Sequence, residues 1–195
     1  ATRSIMAMPF ARSNTDFQGC GEDDVMRVIR EVKEDYRIDP DRIILSGYSM
    51  GGMGVWTIGA HFPHEFAALW PMSSRADFYL WKGIEPGDIP PFKRRLAEQE
   101  FGANLLSNYR NLPVFMMHGD ADFGIPVKQS RLMDERLREA NMDVRYVELE
   151  GQGHFFFYRE EKTRPEVVKW LRSRRKARNP RRVTSRTYTL QYNRA

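Results

Sequence analysis

A serine flanked by glycines is the residue in this sequence best suited to act as a nucleophile. It is Ser49, in the stretch GYSMG at residues 47–51. The apolar run 42–45 before it predicts a buried strand, and the run 53–59 after it predicts a packed helix. Glycines at both ends of the stretch lack a Cβ, so the chain can turn sharply and the helix can approach the strand closely. The pattern predicts a reactive hydroxyl at a strand-to-helix turn, and the other interpretation is an idle serine in a tight turn.

A carboxylate and an imidazole follow two later predicted strands. Residues 112–117 predict a buried strand that leads into a turn containing Asp122, and residues 144–149 predict a further strand that leads into His154. The ligand site of a parallel sheet lies outside the carboxyl ends of its strands. We therefore expect Asp122, His154 and Ser49 to converge on one rim of the sheet.

These three residue types in this chain order suit acyl transfer through a covalent intermediate. A serine hydroxyl is a weak nucleophile until an imidazole accepts its proton, and a carboxylate must hold the imidazole in the correct tautomer. The roles are therefore nucleophile for Ser49, base for His154 and acid for Asp122. The backbone N–H of Met50, at the start of the predicted helix, is expected to form half of an oxyanion hole.

Two other residues compete for the roles of acid and base. Asp120 lies closer to its strand, where a carboxylate more often accepts hydrogen bonds from loop N–H groups, so Asp122 is the preferred acid. His118 precedes a glycine at the strand end, a position more typical of a hydrogen-bonded structural histidine. His154 is accordingly the preferred base.

Metal and thiol chemistry are not expected. His61 and His64 have the spacing of a metal-ligand pair, but Pro63 between them ends the helix, and no cysteine or acidic partner has ligand spacing. Cys20 is the only cysteine, so it has no partner within the chain for a disulfide. We expect neither a metal nor a cofactor.

Four segments of the chain resemble a known family. Residues 39–52, 62–68, 118–127 and 151–154 resemble α/β-hydrolases of the secreted-esterase and prolyl-oligopeptidase-like branch, with the last two matching the acid and histidine loops. The resemblance extends over about residues 4–175. It implies an α/β fold, a three-layer sandwich around a mostly parallel sheet, with the nucleophile, acid and base at the three residues named above. It also favours a soluble, secreted or periplasmic protein, although the compartment stays open.

One element of the family pattern has no counterpart in the sequence. The second oxyanion donor of such enzymes comes from a glycine-rich loop after an earlier strand, and no such loop precedes the predicted strand at residues 4–8. The sequence begins with Ala1 and ends within a strand-like pattern. We therefore expect a fragment that lacks N-terminal strands. The family topology implies that one missing strand would lie in the sheet between the strands predicted at residues 4–8 and 43–45.

Amphipathic helices are predicted on either side of the candidate serine. Residues 22–36 place apolar side chains on one helical face after an acidic first turn, and residues 127–140 repeat this pattern. A further strand is predicted at residues 66–71. These elements belong to the core of an alternating α/β architecture.

An insertion of irregular sequence, about residues 74–111, lies where a lid or substrate wall is expected. Its aromatic residues Phe78 and Trp81, together with Tyr48 beside the serine, are candidate substrate-binding residues, suited to an acyl or aryl group. Packing of the insertion onto the body of the domain is the other interpretation of its aromatic side chains.

The charge of the chain is unevenly distributed. Residues 167–195 contain ten Lys or Arg and no acid, so the preceding part has 21 basic and 26 acidic residues and a net charge of −5, against +5 for the whole. The stretch 172–182 has the composition of a phosphate-binding patch, but a solvated helix end explains it as well, and nucleic-acid binding is not expected. Residues 183–190 predict an added strand or the start of a second module. We expect a catalytic domain at 1–178 and a basic tail at 179–195.

Three function classes fit the sequence. A serine hydrolase of a small-molecule or polymer-linked ester is the leading prediction, and a prolyl-oligopeptidase-like peptidase is the second, since both use the same three residues. The third is a non-catalytic binding protein with a basic tail. No apolar run reaches the roughly 18 residues of a membrane span, so no membrane partner is expected. The oligomeric state is not predicted.

Overall fold

Four parallel strands form the sheet of the computed structural model, which describes residues 4–158, 162–188 and 192. Their order in the sheet is their order in the chain, and every neighbouring pair is parallel. The strands are β1 (Ile44–Tyr48), β2 (Ala68–Met72), β3 (Val114–Gly119) and β4 (Val144–Leu149). Since parallel neighbours need crossover connections, each strand is followed by helical segments.

Six α-helices accompany these strands within the described residues. They are α1 (Cys20–Asp35), α2 (Met50–His61), α3 (Phe78–Lys82), α4 (Pro91–Glu98), α5 (Lys128–Glu139) and α6 (Arg164–Arg172). The helices predicted at 22–36 and 127–140 are confirmed as α1 and α5, and the one predicted from 53–59 is confirmed as the longer α2. None of the described helices is long and apolar enough to cross a membrane.

Alternating side chains of the sheet fill two apolar layers. In β3, Val114 and Met116 belong to the core that includes residues of α1, α2 and α5. The intervening Phe115 and Met117 pack with Trp170 of α6, whose ring centroid lies 5.3 Å from that of Phe115. Period-two alternation sends successive side chains to opposite faces, so the sheet is covered on both sides. The predicted three-layer α/β sandwich is confirmed.

The first strand is less buried than its apolar sequence predicts. The strand expected at 42–45 begins two residues later, because Pro40–Arg42 form a 3₁₀ turn capped by the Asp39 carboxylate. β1 is at one edge of the described sheet and most of its residues are only half-buried. The expectation of a buried strand was wrong here, since an edge strand has a neighbour on one side only. The strand expected at 66–71 is likewise shifted, to Ala68–Met72.

The strand expected at residues 4–8 is not formed. Residues 4–10 are in neither a helix nor a strand, and several of their apolar side chains are exposed, namely Ile5, Met6, Met8 and Phe10. Ile5 is the only β-branched residue of the predicted strand, and Pro9 has no N–H for a ladder, so local preference for a strand is weak.

The insertion between β2 and β3 is more regular than expected. It contains α3, α4 and 3₁₀ turns at Gly102–Asn104 and Leu106–Tyr109. Tyr109 is fully buried, and its O–H donates to the carbonyl of Trp56 in α2 at 2.7 Å. The buried side chain of Leu105 lies in the same core. The insertion is therefore anchored to the body of the domain.

The basic residues near the C-terminus fold back onto the rest of the chain. Arg175 and Arg178 pair with the carboxylates of Asp39 and Asp41, at 2.6 and 2.5 Å. Residues 174–188 contain no strand, so the strand expected there is not formed; residues 189 and 190 lie outside the described chain. Backbone groups in this part of the tail pair instead with the insertion side chain Asn108, which accepts from Arg186 N–H at 2.7 Å and donates to its carbonyl at 2.9 Å.

Candidate active site

Ser49 occupies the sharp turn between β1 and α2. Its backbone has φ 56° and ψ −117°, a region that residues with a side chain rarely adopt, at a cost of about 1–3 kcal/mol. Its N–H donates to Met72 O of β2 at 2.9 Å, and its carbonyl accepts from Met53 N–H at 3.2 Å. The neighbouring strand and the first helical turn thus hold the strained conformation. Met50 is the first residue of α2, so its N–H has no acceptor within the helix.

Close contacts explain two glycines around this turn. A Cβ at Gly47 would overlap the carbonyl group of Gly51, and a Cβ at Gly52 would overlap the side chain of Ser74. Gly51 differs from the expectation, because a Cβ there would meet nothing within 4 Å. The close approach of helix and strand therefore depends on Gly47 and Gly52 rather than on Gly51.

The structure brings Ser49, His154 and Asp122 into one hydrogen-bonded chain. His154 Nε2 lies 2.8 Å from Ser49 Oγ, and His154 Nδ1 lies 2.7 Å from Asp122 Oδ2. Asp122 follows β3 and His154 follows β4, so the side chains meet beyond the carboxyl ends of the strands. A Cβ at Gly119 would overlap the carbonyl of Gln152, so this glycine allows the two loops to meet.

The carboxylate of Asp122 is buried and accepts hydrogen bonds at both oxygens. Oδ1 accepts from the N–H groups of Gly124 and Ile125, at 2.9 and 2.8 Å. Oδ2 faces Nδ1 of His154 and, at 3.3 Å, Nε2 of His118. Burial on its own would raise the pKa of Asp122, but the hydrogen bonds from His118, Ile125 and His154 outweigh it and hold that pKa well below its usual range. Asp122 is therefore ionised at neutral pH.

Tyr48 supports the histidine loop. Its O–H donates to the carbonyl oxygen of His154. The two rings are 5.1 Å apart at a tilt of 40°, and Tyr48 also stacks on Phe157 at 6.0 Å. These contacts place Tyr48 beside the candidate base. Its predicted contact with substrate stays a prediction.

The two aromatic candidates of the insertion have different surroundings. Trp81 in α3 donates from Nε1 to the carbonyl of Gly124 at 3.3 Å, so it borders the loop that carries Asp122. The guanidinium of Arg75 lies 4.4 Å from its ring centroid. Phe78 stacks on Phe101 at 6.0 Å and packs within the insertion. The contacts of Trp81 therefore place it nearer than Phe78 to Ser49, His154 and Asp122.

The competing acid and base candidates have other partners. Asp120 accepts a hydrogen bond from Gly151 N–H at 2.7 Å, the loop contact that its position near the strand suggests. His118 is fully buried, with Nδ1 2.7 Å from Ser130 Oγ and Nε2 2.9 Å from the carbonyl of Ile125. A histidine without exposed surface has no access to a substrate, which argues against His118 as the base.

Sequence reasoning missed two exposed aromatic residues next to this site. Phe123 is 98% exposed and Phe155 is 68% exposed. The signal that would have found them is their position, since one directly follows Asp122 and the other directly follows His154.

The two histidines of the possible metal pair have separate partners. His61 is buried, with Nδ1 2.7 Å from a carboxylate oxygen of the buried Glu22. His64 is 58% exposed at its side chain and lies 3.7 Å from Glu65. Within the described part of the chain, no group of three or more His, Cys, Asp or Glu is arranged to hold a metal ion.

Comparison with known proteins places this chain in a family. A model of the prolyl oligopeptidase family matches residues 14–174. The chain belongs to the prolyl oligopeptidase family. This family match covers the turn at Ser49, the acid loop and the histidine loop, and it confirms the resemblance found in the sequence.

Individual relatives of this prolyl oligopeptidase family member include esterases. An uncharacterized secreted protein of Arthroderma benhamiae is 30% identical over 155 residues, which are 70% of this chain and 16% of the relative. Acyl-protein thioesterase 1 of Neurospora crassa is 29% identical over 121 residues, 62% of this chain and 42% of the relative. The crystal structure of a thermostable esterase superimposes with a TM-score of 0.58 at 26% identity, covering 77% of this chain and 36% of the esterase. The chain thus spans less than half the length of these relatives.

Proposed function

We propose that this chain carries the catalytic centre of a serine hydrolase that cleaves a carboxylic ester. Ser49 is the nucleophile, His154 the general base and Asp122 the acid that orients it. The observation that carries the proposal is the hydrogen-bonded chain from Ser49 Oγ through both nitrogens of His154 to Asp122 Oδ2, at 2.8 and 2.7 Å. A hydroxyl at a strained turn, an imidazole and a buried carboxylate in this order are the parts of an acyl-transfer site.

The chemistry follows from the protons that each atom can hold. Ser49 Oγ attacks the ester carbonyl carbon while His154 Nε2 takes its proton, and the ionised Asp122 stabilises the imidazolium that forms. The N–H of Met50, free at the helix N-terminus, stabilises the negative charge on the carbonyl oxygen. The imidazolium returns the proton to the departing alcohol, which leaves an acyl group on Ser49. Water then attacks the acyl group by the same steps, releasing the acid and restoring the serine.

An ester is favoured over a peptide by two of the relatives. One is named as a thioesterase and the other as a thermostable esterase. The family description names a peptidase and supports the second candidate, a prolyl-oligopeptidase-like peptidase. In either case Trp81, which lies against the acid loop, forms one wall of the binding site for an apolar group of the substrate. Phe78 and Tyr48 contribute less directly to this binding site.

A small panel of substrates and one labelling reaction test the proposal. The chain is incubated with a fluorophosphonate probe, with short-chain aryl esters and with proline-containing aryl amides. We expect labelling and ester hydrolysis, both lost in Ser49→Ala and retained in Ser185→Ala, a serine in the exposed tail. Faster cleavage of the amides than of the esters would favour the peptidase. Equal labelling of Ser49→Ala and the wild type would overturn the assignment, and the absence of labelling in the wild type would favour the non-catalytic alternative.

A further inference from the structure

A buried imidazole lies directly behind the candidate acid. His118, at the end of β3, is 0% exposed, and its Nε2 faces two acceptors, the Ile125 carbonyl at 2.9 Å and Asp122 Oδ2 at 3.3 Å. Two acceptors at one nitrogen require a proton there. In the neutral ring Nδ1 is then an acceptor, and the hydroxyl of Ser130, 2.7 Å away, donates to it. Ser130 thus fixes the tautomer whose Nε2–H donates to the Ile125 carbonyl and lies beside Asp122 Oδ2.

We propose that His118 is a positioning residue that acts through Asp122. Oδ2 of Asp122 is the atom that accepts from Nδ1 of His154, and it is the same atom that faces His118 Nε2. The backbone N–H groups of Gly124 and Ile125 hold the other oxygen. The donors at both oxygens allow one orientation of the carboxylate, the one aimed at His154. The proposal rests on the proposed roles of Asp122 and His154.

The contact with the Nε2–H of His118 also weakens the carboxylate as a base. It is the largest of the contributions that lower the pKa of Asp122, ahead of the Ile125 N–H and His154. Without it, more of the negative charge is available to His154, and the protonated imidazole becomes more favourable. The enzyme would then need a higher pH to present the neutral imidazole that the reaction requires.

The charged group opposite His118 on β4 already has a partner. Glu148 lies opposite His118 in the register of β3 and β4, and its carboxylate pairs with Arg131 of α5 at 2.5 Å. The hydrogen bonds of this pair join Arg131 and Glu148 and involve no atom of His118. A change in pH dependence would therefore report on the contact with Asp122.

Two amide substitutions at His118 separate positioning from packing. The amide nitrogen of His118→Gln reaches the place of Nε2 and can donate to Asp122, whereas that of His118→Asn reaches only the place of Nδ1. We expect the acidic limb of kcat/KM for a short aryl ester to move up by about 0.5 to 1 pH unit in the Asn variant and to stay within about 0.2 unit in the Gln variant. At neutral pH we expect kcat/KM to fall about tenfold in the Asn variant and less than about threefold in the Gln variant.

An NMR titration of the ring signals of His154 gives a readout that needs no turnover. We expect the midpoint of this titration to move up in His118→Asn and to stay unchanged in His118→Gln. If His118→Asn does not fold, His118→Met takes its place, because methionine fills the site with an apolar side chain that has no donor. The midpoint should then move up in His118→Met. Equal midpoints in the variants with and without a donor would overturn the proposal. A wild-type chain that is inactive would contradict the proposed function alone, because the titration still decides the role of His118.

Discussion

Replacing Asp122 by asparagine should prevent His154 from acting as a base, although a side chain of the same size still faces its imidazole. One oxygen of Asp122 accepts from two backbone N–H groups, at 2.9 and 2.8 Å, and an amide NH2 cannot replace an acceptor there. The amide oxygen of the Asp122→Asn variant would therefore take that place, and its NH2 would face His154 Nδ1, where Oδ2 now accepts at 2.7 Å. To avoid two opposed donors, His154 must take the tautomer with a bare Nδ1 and a protonated Nε2. That nitrogen can no longer accept the proton of Ser49.

The expected loss follows from the wrong tautomer. Turnover of a short-chain aryl ester should fall by about four orders of magnitude, which is the effect of the same change in a serine protease triad. Fluorophosphonate labelling of Ser49 should slow in parallel, since it needs the same proton transfer. The fold should persist, because the amide oxygen keeps both backbone hydrogen bonds and the Nε2–H of His118 keeps the carbonyl of Ile125 as its acceptor.

Asp120→Asn is the matched control. Asp120 accepts from Gly151 N–H at 2.7 Å, and an amide oxygen can accept the same bond, so turnover should stay within about threefold of the wild type. Turnover of Asp122→Asn within about tenfold of the wild type would refute the reasoning. A large loss in Asp120→Asn with little loss in Asp122→Asn would reverse the assignment of the acid.

Three further substitutions test how the site is held. Ser49→Gly should be more stable to urea than Ser49→Ala by about 1 kcal/mol, because glycine adopts the positive φ of 56° without strain; equal stability would argue against strain at the turn. Gly119→Ala should lower the free energy of unfolding by about 1–3 kcal/mol, because the added Cβ forces the acid and histidine loops apart, and it should also slow ester hydrolysis. Gly87→Ala is the control and should leave both quantities unchanged, since a Cβ at Gly87 meets nothing within 4 Å. Asn108→Ala should lower the free energy of unfolding by about 1–3 kcal/mol through loss of its bonds to α2 and to the tail, with the exposed Asn179→Ala as the control. An Asn108→Ala variant as stable as its control would show that these hydrogen bonds contribute nothing to the stability of the fold.

Local pattern was enough to predict the turn at Ser49 and the strands before Asp122 and His154. In each case an apolar run of strand length ends at a glycine-containing turn, and the parallel order then places the three turns on one rim. The burial of β3 and the helical faces of α1 and α5 follow from the same periodicity. These features depend on residues that are close in the chain.

Features that depend on distant partners were not predictable in this way. The tail at 183–188 has β-prone residues, but its backbone pairs with the side chain of Asn108, which is far away in the sequence. The half-buried state of β1 depends on its place at the edge of the described sheet. The contact between His118 and Asp122 needs the loop geometry after β3, since the sequence shows only that the two residues are four apart.

Trapping the acyl intermediate tests the central claim most directly. The chain is mixed with p-nitrophenyl acetate, quenched in acid within the first turnover, and analysed by intact and peptide mass spectrometry. The account predicts a mass increase of one acetyl group, located on Ser49, that accumulates in the wild type and is absent from Ser49→Ala. Hydrolysis of the ester at an unchanged rate by Ser49→Ala, or an acetyl group carried by another residue during turnover, would contradict it.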